Sequence, residues 1–312
     1  MSSNRNDLLA KIATLYYEAN LTQSEIAKRL NKSRPTISSM LQEARDKGIV
    51  RINIIHKQSN VIKKEEFLAE KFNLQTVIIS THTGPITERK KNIGLLCAEF
   101  VEGILPNYHS LGLGWGTTVY EFVQAASFYP MNNLEIIPLM GGIGIDNILY
   151  HSNHLAFQLA EKYKCNASFF YAPAIAENEE VFNIFQTSNL ISRAYNSAKS
   201  AELAIFSIGN PTTSQTYQSF NNISPSEHEE IKNKGAIGDI LGTFFDSNGD
   251  TINTSVSNRM TGLKLKDIEM MNEVLIFGVG EEKAESFSIL LNKGFIDHLI
   301  IDQTIADYLI QN

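Results

Sequence analysis

Two hydrophobic patterns with different periods follow each other along the chain. Between Asn6 and Lys47, apolar residues recur every three or four positions, which predicts three short helices. From Gln75 onward, short apolar runs alternate with segments of helical period, which predicts strands that are each followed by a helix. This alternation is typical of a mostly parallel, doubly wound sheet covered on both faces. The predicted fold class is α/β with an N-terminal helical domain.

The strand predictions rest on seven apolar runs in the second pattern. Their sequences are QTVIIS, SLGLG, LEIIPLM, ASFFYAPA, LAIFSIG, EVLIFGVG and HLIID. Ligands of such sheets bind at the carboxyl ends of the strands. Polar and glycine residues that directly follow these runs are therefore the first candidates for a binding site.

The N-terminal pattern predicts a helix-turn-helix. Thr22 stands three residues before Glu25, as in a capping box, and Ser33 offers an N-cap for a third helix with Pro35 in its first turn. Gly48 ends that helix, and the run IVRINII after it predicts a short strand. Three short helices with a tight turn between the second and third describe a DNA-binding unit.

The third helix separates an apolar face from a polar one. Apolar residues of the second and third helices are predicted to form the core: Ile26, Ala27, Leu30, Ile37, Met40 and Leu41. Polar side chains left outside can reach base edges or phosphates. The candidate DNA-binding residues are Gln23, Ser33, Arg34, Thr36, Ser38, Ser39, Gln42 and Arg45. A solvated helical cap, or a helix-turn-helix used for protein contacts, remains the alternative.

The distribution of charge supports a division into two domains. Residues 1–57 carry ten lysines and arginines against five acidic residues, whereas the remainder carries 17 against 29. A basic head on an acidic body indicates that only the head contacts a polyanion. We expect a helix-turn-helix domain over residues 1–57 and an effector-binding and oligomerisation domain over residues 58–312.

The run LGLGWGTT is the strongest candidate for small-molecule binding. Gly114, Gly116, Thr117 and Thr118 follow a strand and open a helix, so backbone amides, hydroxyls and a helix N-terminus converge there. The spacing matches neither the dinucleotide fingerprint nor a Walker loop. A compact phosphate is the better guest, and a turn that needs its glycines only for geometry is the alternative.

Three further candidates follow other strands. Gly141 and Gly142 suit a close approach of backbone to ligand. Asp239, between apolar residues, can be satisfied by sugar hydroxyls or by a structural salt bridge. Lys283 lies in the first turn of a helix, where the dipole disfavours a cation unless an anion is bound nearby; a solvated lysine is the alternative.

Both parts of the chain resemble one family. The segment LTQSEIAKRLNKSRPTISSMLQEARDKGIVRINI, together with LGLGWGTT, IIPLMGG, YAPA, GAIGDILGTFFDSNG and GVGEEK, is similar to the SorC family of bacterial sugar-responsive transcription regulators. The resemblance implies a body like the sugar-phosphate isomerase and deaminase fold. It implies an effector phosphate held by the GWGTT turn and Lys283, with sugar hydroxyls bound by Asp239. Met140, at a position that is basic in some members, favours one phosphate over two.

The predicted function is a DNA-binding transcription regulator controlled by a phosphorylated sugar or polyol. Its expected partners are a double-stranded operator, that effector and further copies of the chain, since one head reads only a half-site. No membrane span, secretory leader, disulfide framework, metal spacing or cofactor motif is present, so a cytoplasmic location is expected. The main alternative is a sugar-phosphate isomerase or deaminase with Asp239 as base; a protein-interaction adaptor is a third possibility.

Overall fold

The structure is a computed structural model that describes residues 2–47, 49–50, 59–142, 148–211 and 223–312. The chain divides into two compact units, Met1–His56 and Lys57–Asn312. The strand expected after Gly48 lies outside the described residues, apart from Ile49 and Val50.

The N-terminal unit contains the three predicted helices. They are α1 (Ser2–Tyr17), α2 (Gln23–Arg29) and α3 (Arg34–Asp46). Thr22 and Glu25 form the capping box at α2, and Ser33 caps α3 by accepting from the Thr36 amide at 3.2 Å. Asn31 adopts a left-handed conformation (φ 50°) in the turn between α2 and α3. The caps and the turn are therefore as the sequence predicts.

The core of this unit confirms the predicted apolar face. All of the expected core residues except Leu30 are buried, and Leu30 packs against them while half-buried. Leu9 and Ile12 from α1 complete the cluster and are fully buried. Arg5 on α1 also pairs with Glu43 on α3 at 2.6 Å. Packing rather than this exposed ion pair holds α1 against α3, because exposed pairs contribute little.

The second unit is built on a seven-stranded parallel sheet. Its strands, with those of a small second sheet, are β1 (Thr76–Ser80), β2 (Ser110–Leu113), β3 (Glu135–Pro138), β4 (Asn166–Ala167), β5 (Leu203–Phe206), β6 (Gly238–Ile240), β7 (Thr243–Phe245), β8 (Thr251–Ile252), β9 (Glu273–Gly278) and β10 (His298–Asp302). The order in the large sheet is β1-β10-β9-β5-β2-β3-β4, with every pairing parallel. The order reverses between β2 and β5, which is where a doubly wound sheet binds its ligand.

Helices cover both faces of this sheet. They are α4 (Ser59–Phe72), α5 (Ile86–Ile104), α6 (Thr117–Ala125), α7 (Ser152–Tyr163), α8 (Glu179–Thr187), α9 (Asn189–Lys199), α10 (Pro225–Asn233), α11 (Leu265–Ile268), α12 (Ala284–Leu291) and α13 (Gln303–Gln311). Successive residues of β5 belong to different core clusters. Ile205 is in the cluster that contains residues of α5, α6 and α7, whereas Phe206 is in the cluster that contains residues of α4 and α12. This alternation explains why the strands are apolar throughout.

The small sheet has the antiparallel order β6-β7-β8. Leu241 and Gly242 join β6 to β7 with positive φ angles of 49° and 81°, as a type I′ turn requires. The DSNGD segment forms the predicted tight turn. In it, the Asp246 carboxylate accepts hydrogen bonds from the backbone amides of Asn248 and Asp250.

One predicted strand is much shorter than expected. The run ASFFYAPA pairs with β3 only at its start, and β4 ends at Ala167. Beyond it, the side chain of Asn153 on α7 accepts from the Phe170 amide at 2.8 Å and donates to the Phe170 carbonyl at 3.1 Å. An amide side chain thus replaces the neighbouring strand, so the prediction of a full strand was wrong.

Candidate functional site

The glycine turn lies at the carboxyl end of β2, where the strand order reverses. Gly114 and Gly116 have different roles there. The Gly114 amide donates to the Ile205 carbonyl at 2.8 Å, and a Cβ at this position would lie 2.6 Å from the Cβ of Phe206. Gly114 therefore keeps β2 close to β5, and its amide is already used.

Gly116 faces open space. Its φ is 102°, a value that favours glycine, and a Cβ built there meets no heavy atom of the described chain within 4 Å. It is the N-cap of α6, and no side chain caps this helix. The first intrahelical bond is from the Tyr120 amide to the Gly116 carbonyl, so the amides of Thr117 and Thr118 have no acceptor within the helix. This N-terminus can accept an anion.

Lys90 joins this turn and was missed in the sequence. Its Nζ donates to Thr117 Oγ1 at 3.0 Å. Gly94, one turn later on α5, makes the contact possible: a Cβ there would lie 2.5 Å from the Glu121 backbone, so the backbones of α5 and α6 touch. The sequence did contain a sign of this role: Lys90 shares a helical face with Ile93 and Cys97, which are both buried.

Lys283 is a second cation, which is coupled to Lys90 by charge repulsion. It ends a short 3₁₀ helix, Glu281–Lys283, and precedes α12. Burial and, to a smaller extent, the nearby Lys90 ammonium lower the pKa of Lys283 to about 8, against the opposing effects of Glu282, Asp239 and Asp302. Burial also lowers the pKa of Lys90. Within the described residues, neither lysine forms an ion pair.

Asp239 lies on β6, only 3% exposed. Its backbone pairs with that of Gly209 in both directions at 3.0 Å, and its Oδ2 accepts from the Gly242 amide at 3.3 Å. A Cβ on Gly209 would collide with Asp239 Oδ1, so a glycine is needed there. The charge of Asp239 raises the pKa of Lys283, so the carboxylate and the ammonium attract each other.

Ser207 is a second residue that the sequence did not single out. It follows β5 directly, beside β2 at the reversal of strand order. Its Oγ is buried and has no hydrogen-bond partner among the described residues. A hydroxyl at the carboxyl end of a central strand was the available signal.

The Gly141–Gly142 pair has a different role from the one expected. The Gly141 amide donates to the Thr261 carbonyl at 2.9 Å, and the Gly142 amide donates to the Ala172 carbonyl at 2.8 Å. A Cβ at Gly141 would lie 2.6 Å from the same Ala172 oxygen, and one at Gly142 would lie 2.3 Å from the His151 ring. The close approach that these glycines permit is to other parts of the chain.

The other predicted residues are placed as follows. Thr118 is buried at 3% exposure, so its amide rather than its side chain can face the turn. Seven of the eight candidate DNA-binding side chains are exposed, and Gln23 is half-buried. Four of them already have side-chain partners: Ser33 Oγ lies 2.7 Å from Thr36 Oγ1, and Gln42 Oε1 accepts from Arg45 at 2.7 Å. No group of metal-ligating side chains and no helix long and apolar enough to span a membrane occurs in the described parts of the chain.

Comparison with known proteins agrees with both units. The family described as "Putative sugar-binding domain" matches residues 56–311, and a winged helix-turn-helix DNA-binding family matches residues 12–51. The deoxyribonucleoside regulator of Bacillus subtilis is 26% identical over 100% of both chains. The sorbitol operon regulator of Klebsiella pneumoniae is 26% identical over 97% of this chain and 98% of its own.

Solved structures give the same result. The full-length sorbitol operon regulator SorC from Klebsiella pneumoniae superposes with a TM-score of 0.74 at 25% identity, covering 98% of this chain and 99% of that one. A DeoR family transcriptional regulator from Listeria monocytogenes has a TM-score of 0.76 at 28% identity, covering 80% of this chain and all of its own. These proteins are named as regulators, not as enzymes.

Proposed function

Because the chain belongs to the SorC family of transcription regulators, we propose that a phosphorylated sugar or polyol controls its binding to DNA. The phosphate is held between the N-terminus of α6 and two lysines. Gly116, Thr117 and Thr118 supply backbone amides, and Lys90 and Lys283 supply positive charge.

The observation that carries this proposal is that Lys90 donates to Thr117 at the uncapped N-terminus of α6, while the same ammonium lowers the pKa of Lys283. Each ammonium loses hydration there, and each repels the other, as the lowered pKa of Lys283 records. Without a bound anion such an arrangement costs stability. A phosphate dianion offsets both the lost hydration and the charge repulsion. It pairs with both ammonium groups and accepts hydrogen bonds from the amides at the start of α6.

Recognition of the carbohydrate is assigned to the opposite side of the same site. Asp239 can accept hydrogen bonds from hydroxyl groups, and Ser207 can donate or accept one. Met140 is fully buried, so no cation at that position is available for a second phosphate. We therefore assign the effector to monophosphorylated compounds. Gly114, Gly141 and Gly142 shape this site through packing.

On the DNA side, α3 enters the major groove and its exposed face reads the operator. Arg34, Thr36, Ser38, Ser39 and Gln42 contact bases or phosphates. Gln23 and Ser33 at the helix N-termini, together with Arg45, contact the backbone. Two heads are needed for two half-sites, so the chain acts as a dimer or larger homo-oligomer. The effector changes operator affinity by binding one arrangement of the heads better than another.

The test compares phosphorylated compounds with their unphosphorylated partners. The names of the relatives refer to deoxyribonucleosides and sorbitol, so the panel contains 2-deoxyribose 5-phosphate and sorbitol 6-phosphate beside 2-deoxyribose and sorbitol. A ligand at 100 times its Kd stabilises the native state by about 2.7 kcal/mol, which a thermal-shift assay detects. We expect a shift with a phosphorylated member only.

The control variants identify the site. Lys283→Met should abolish the shift, whereas Lys63→Met, at an exposed lysine of α4, should preserve it. Equal shifts with and without the phosphate group, or an unchanged response of Lys283→Met, would refute the phosphate assignment. Operator binding by the unliganded variants should remain intact, as measured by fluorescence anisotropy.

A further inference from the structure

A cavity lies beside the β6–β7 hairpin. Its volume is about 530 Å³, and its walls include Phe182, Asn183, Thr243, Asn253, Ser257 and Lys264. In the hairpin, Asp239 pairs with Phe244 and Ile240 pairs with Thr243. Neighbouring residues of a strand point to opposite faces, so Thr243 and Asp239 point away from each other. The cavity is therefore separate from the site that contains Asp239.

Lys264 brings a poorly compensated charge to this cavity. Its Nζ donates to the carbonyls of Met260 at 2.9 Å and Ser257 at 3.3 Å. An ammonium group has three donors, so one is left over. Burial lowers the pKa of Lys264 to about 8, against the attraction of Asp267.

Asp267 does not neutralise Lys264 directly. Its Oδ1 lies 3.0 Å from Lys199 Nζ, and its Oδ2 accepts from Tyr195 and from the Lys264 backbone amide. In the described part of the chain, the Lys264 ammonium forms no ion pair. A half-buried cation whose hydrogen bonds go only to carbonyls is a ready partner for an anion from solution.

Thr243 gives a second, independent indication of a ligand. The residue is 2% exposed, and its Oγ1 has no hydrogen-bond partner among the described residues. Buried hydroxyls are normally satisfied. Asn183 and Asn253 add exposed amides to the walls, and Phe182 adds an apolar surface. Lys266 also lines the cavity but is exposed to solvent, so Lys264 is the less hydrated of its two cations. Neutral donors and acceptors beside this cation suit a molecule with hydroxyl groups and an anionic group.

We propose that this cavity is a second small-molecule site, which binds a small hydroxylated anion through Lys264 and Thr243. The anionic group, a carboxylate or a phosphate, pairs with Lys264 Nζ. A ligand hydroxyl satisfies Thr243 Oγ1, and the remaining hydroxyls bind the asparagine amides. Glu179 also lines the cavity; it is exposed to solvent, and its Oε1 accepts from the Asn258 side-chain amide at 3.0 Å.

The experiment uses the full chain carrying Lys283→Met, which removes the charge of the other candidate site. The ligands for isothermal titration are gluconate, glycerol 3-phosphate and sorbitol. They distinguish recognition of a carboxylate, of a phosphate and of an uncharged polyol. We expect one of the two anions to bind with one site per chain, and sorbitol not to bind. Preference between the anions identifies the source of the charge.

Two variants in that background test the assignment of residues. Lys264→Gln keeps donors for the two carbonyls but removes the charge, and should weaken binding at least about tenfold. Thr243→Val removes only the hydroxyl and should weaken binding about threefold or more. Lys63→Met should leave the affinity unchanged.

The outcomes are decisive in either direction. Absence of binding by both anions at millimolar concentration, equal binding of sorbitol, or unchanged affinity in Lys264→Gln would each overturn the proposal. Should Lys264→Gln fail to fold, as judged by circular dichroism, Thr243→Val decides alone. Since Lys283 is already replaced, a negative result here does not affect the phosphate site assigned to Lys90 and Lys283.

Discussion

Two regions of this acidic chain concentrate positive charge, and they do so in opposite ways. On the helix-turn-helix, Lys28, Arg29, Lys32, Arg34 and Arg45 are exposed. At the glycine turn of the sheet, the two lysines are partly withdrawn from water, and burial lowers the pKa of each. The first arrangement suits a long polyanion that approaches from solution. The second suits a compact anion that replaces lost hydration.

The difference in exposure between these two groups of cations predicts whether salt or pH has the larger effect on each binding event. Exposed cations attract DNA mainly by releasing its counterions, so salt governs their contribution. Buried cations are screened little by salt, whereas their protonation is sensitive to pH once their pKa falls toward neutrality. DNA binding should therefore respond strongly to salt, and effector binding should respond to pH.

The largest expected effect is the loss of operator affinity with salt. A dimer that makes about three phosphate contacts per head should lose roughly 10³-fold in affinity between 50 and 200 mM salt. Effector affinity should change less than about tenfold over the same range. Fluorescence anisotropy and isothermal titration across the salt series measure the two slopes. Equal slopes would remove the distinction between the two regions.

Arg34→Ala tests whether the exposed cations also read sequence. Arg34 is exposed at the first turn of α3, the part of a recognition helix that contacts bases. If it binds a guanine, the variant should lose about 1–3 kcal/mol of operator binding and little affinity for random DNA. Competition assays with both DNAs measure the difference. An equal loss on both would make Arg34 a phosphate contact only.

The sequence predicted the basic head more completely than the effector site. Capping signals, helical period and polar spacing are local, and in the head they all indicate one structure, as Thr22 and Ser33 show. The order of strands and helices in the second unit is also predicted from the local spacing of apolar residues. The run after Ala167 was wrong, because Asn153 on another helix bonds the amide and the carbonyl of Phe170.

The proposed effector site depends on contacts between distant segments. Sequence could not show that Gly114, Gly141 and Gly142 give their amides to other backbone segments. It also could not show that Gly94 brings Lys90 to Thr117, 27 positions along the chain. A glycine motif predicts a close approach of backbone; the tertiary fold decides whether the approaching group is a ligand or the protein itself.

Lys90→Met tests this tertiary prediction. Because Lys90 Nζ already lies on Thr117 at the uncapped end of α6, its loss should weaken binding of the phosphorylated effector about tenfold or more. Lys91→Met, at the exposed neighbouring position, is the matched control and should have no effect. Isothermal titration measures both variants. If the two variants bind the effector with similar affinity, Lys90 only positions Thr117 and does not contact the phosphate.

The smallest expected effect is the pH dependence of effector binding. The pKa of Lys283 is lowered to about 8, so the ammonium is present below that value and is lost as pH rises through it. A sugar phosphate is already a dianion at pH 7, since its second pKa is about 6. Effector affinity should therefore be full near pH 7 and fall by up to about tenfold by pH 9. Lys283→Met should show weak binding without this decline, and a wild-type affinity that stays constant to pH 9 would contradict the role given to burial at this lysine.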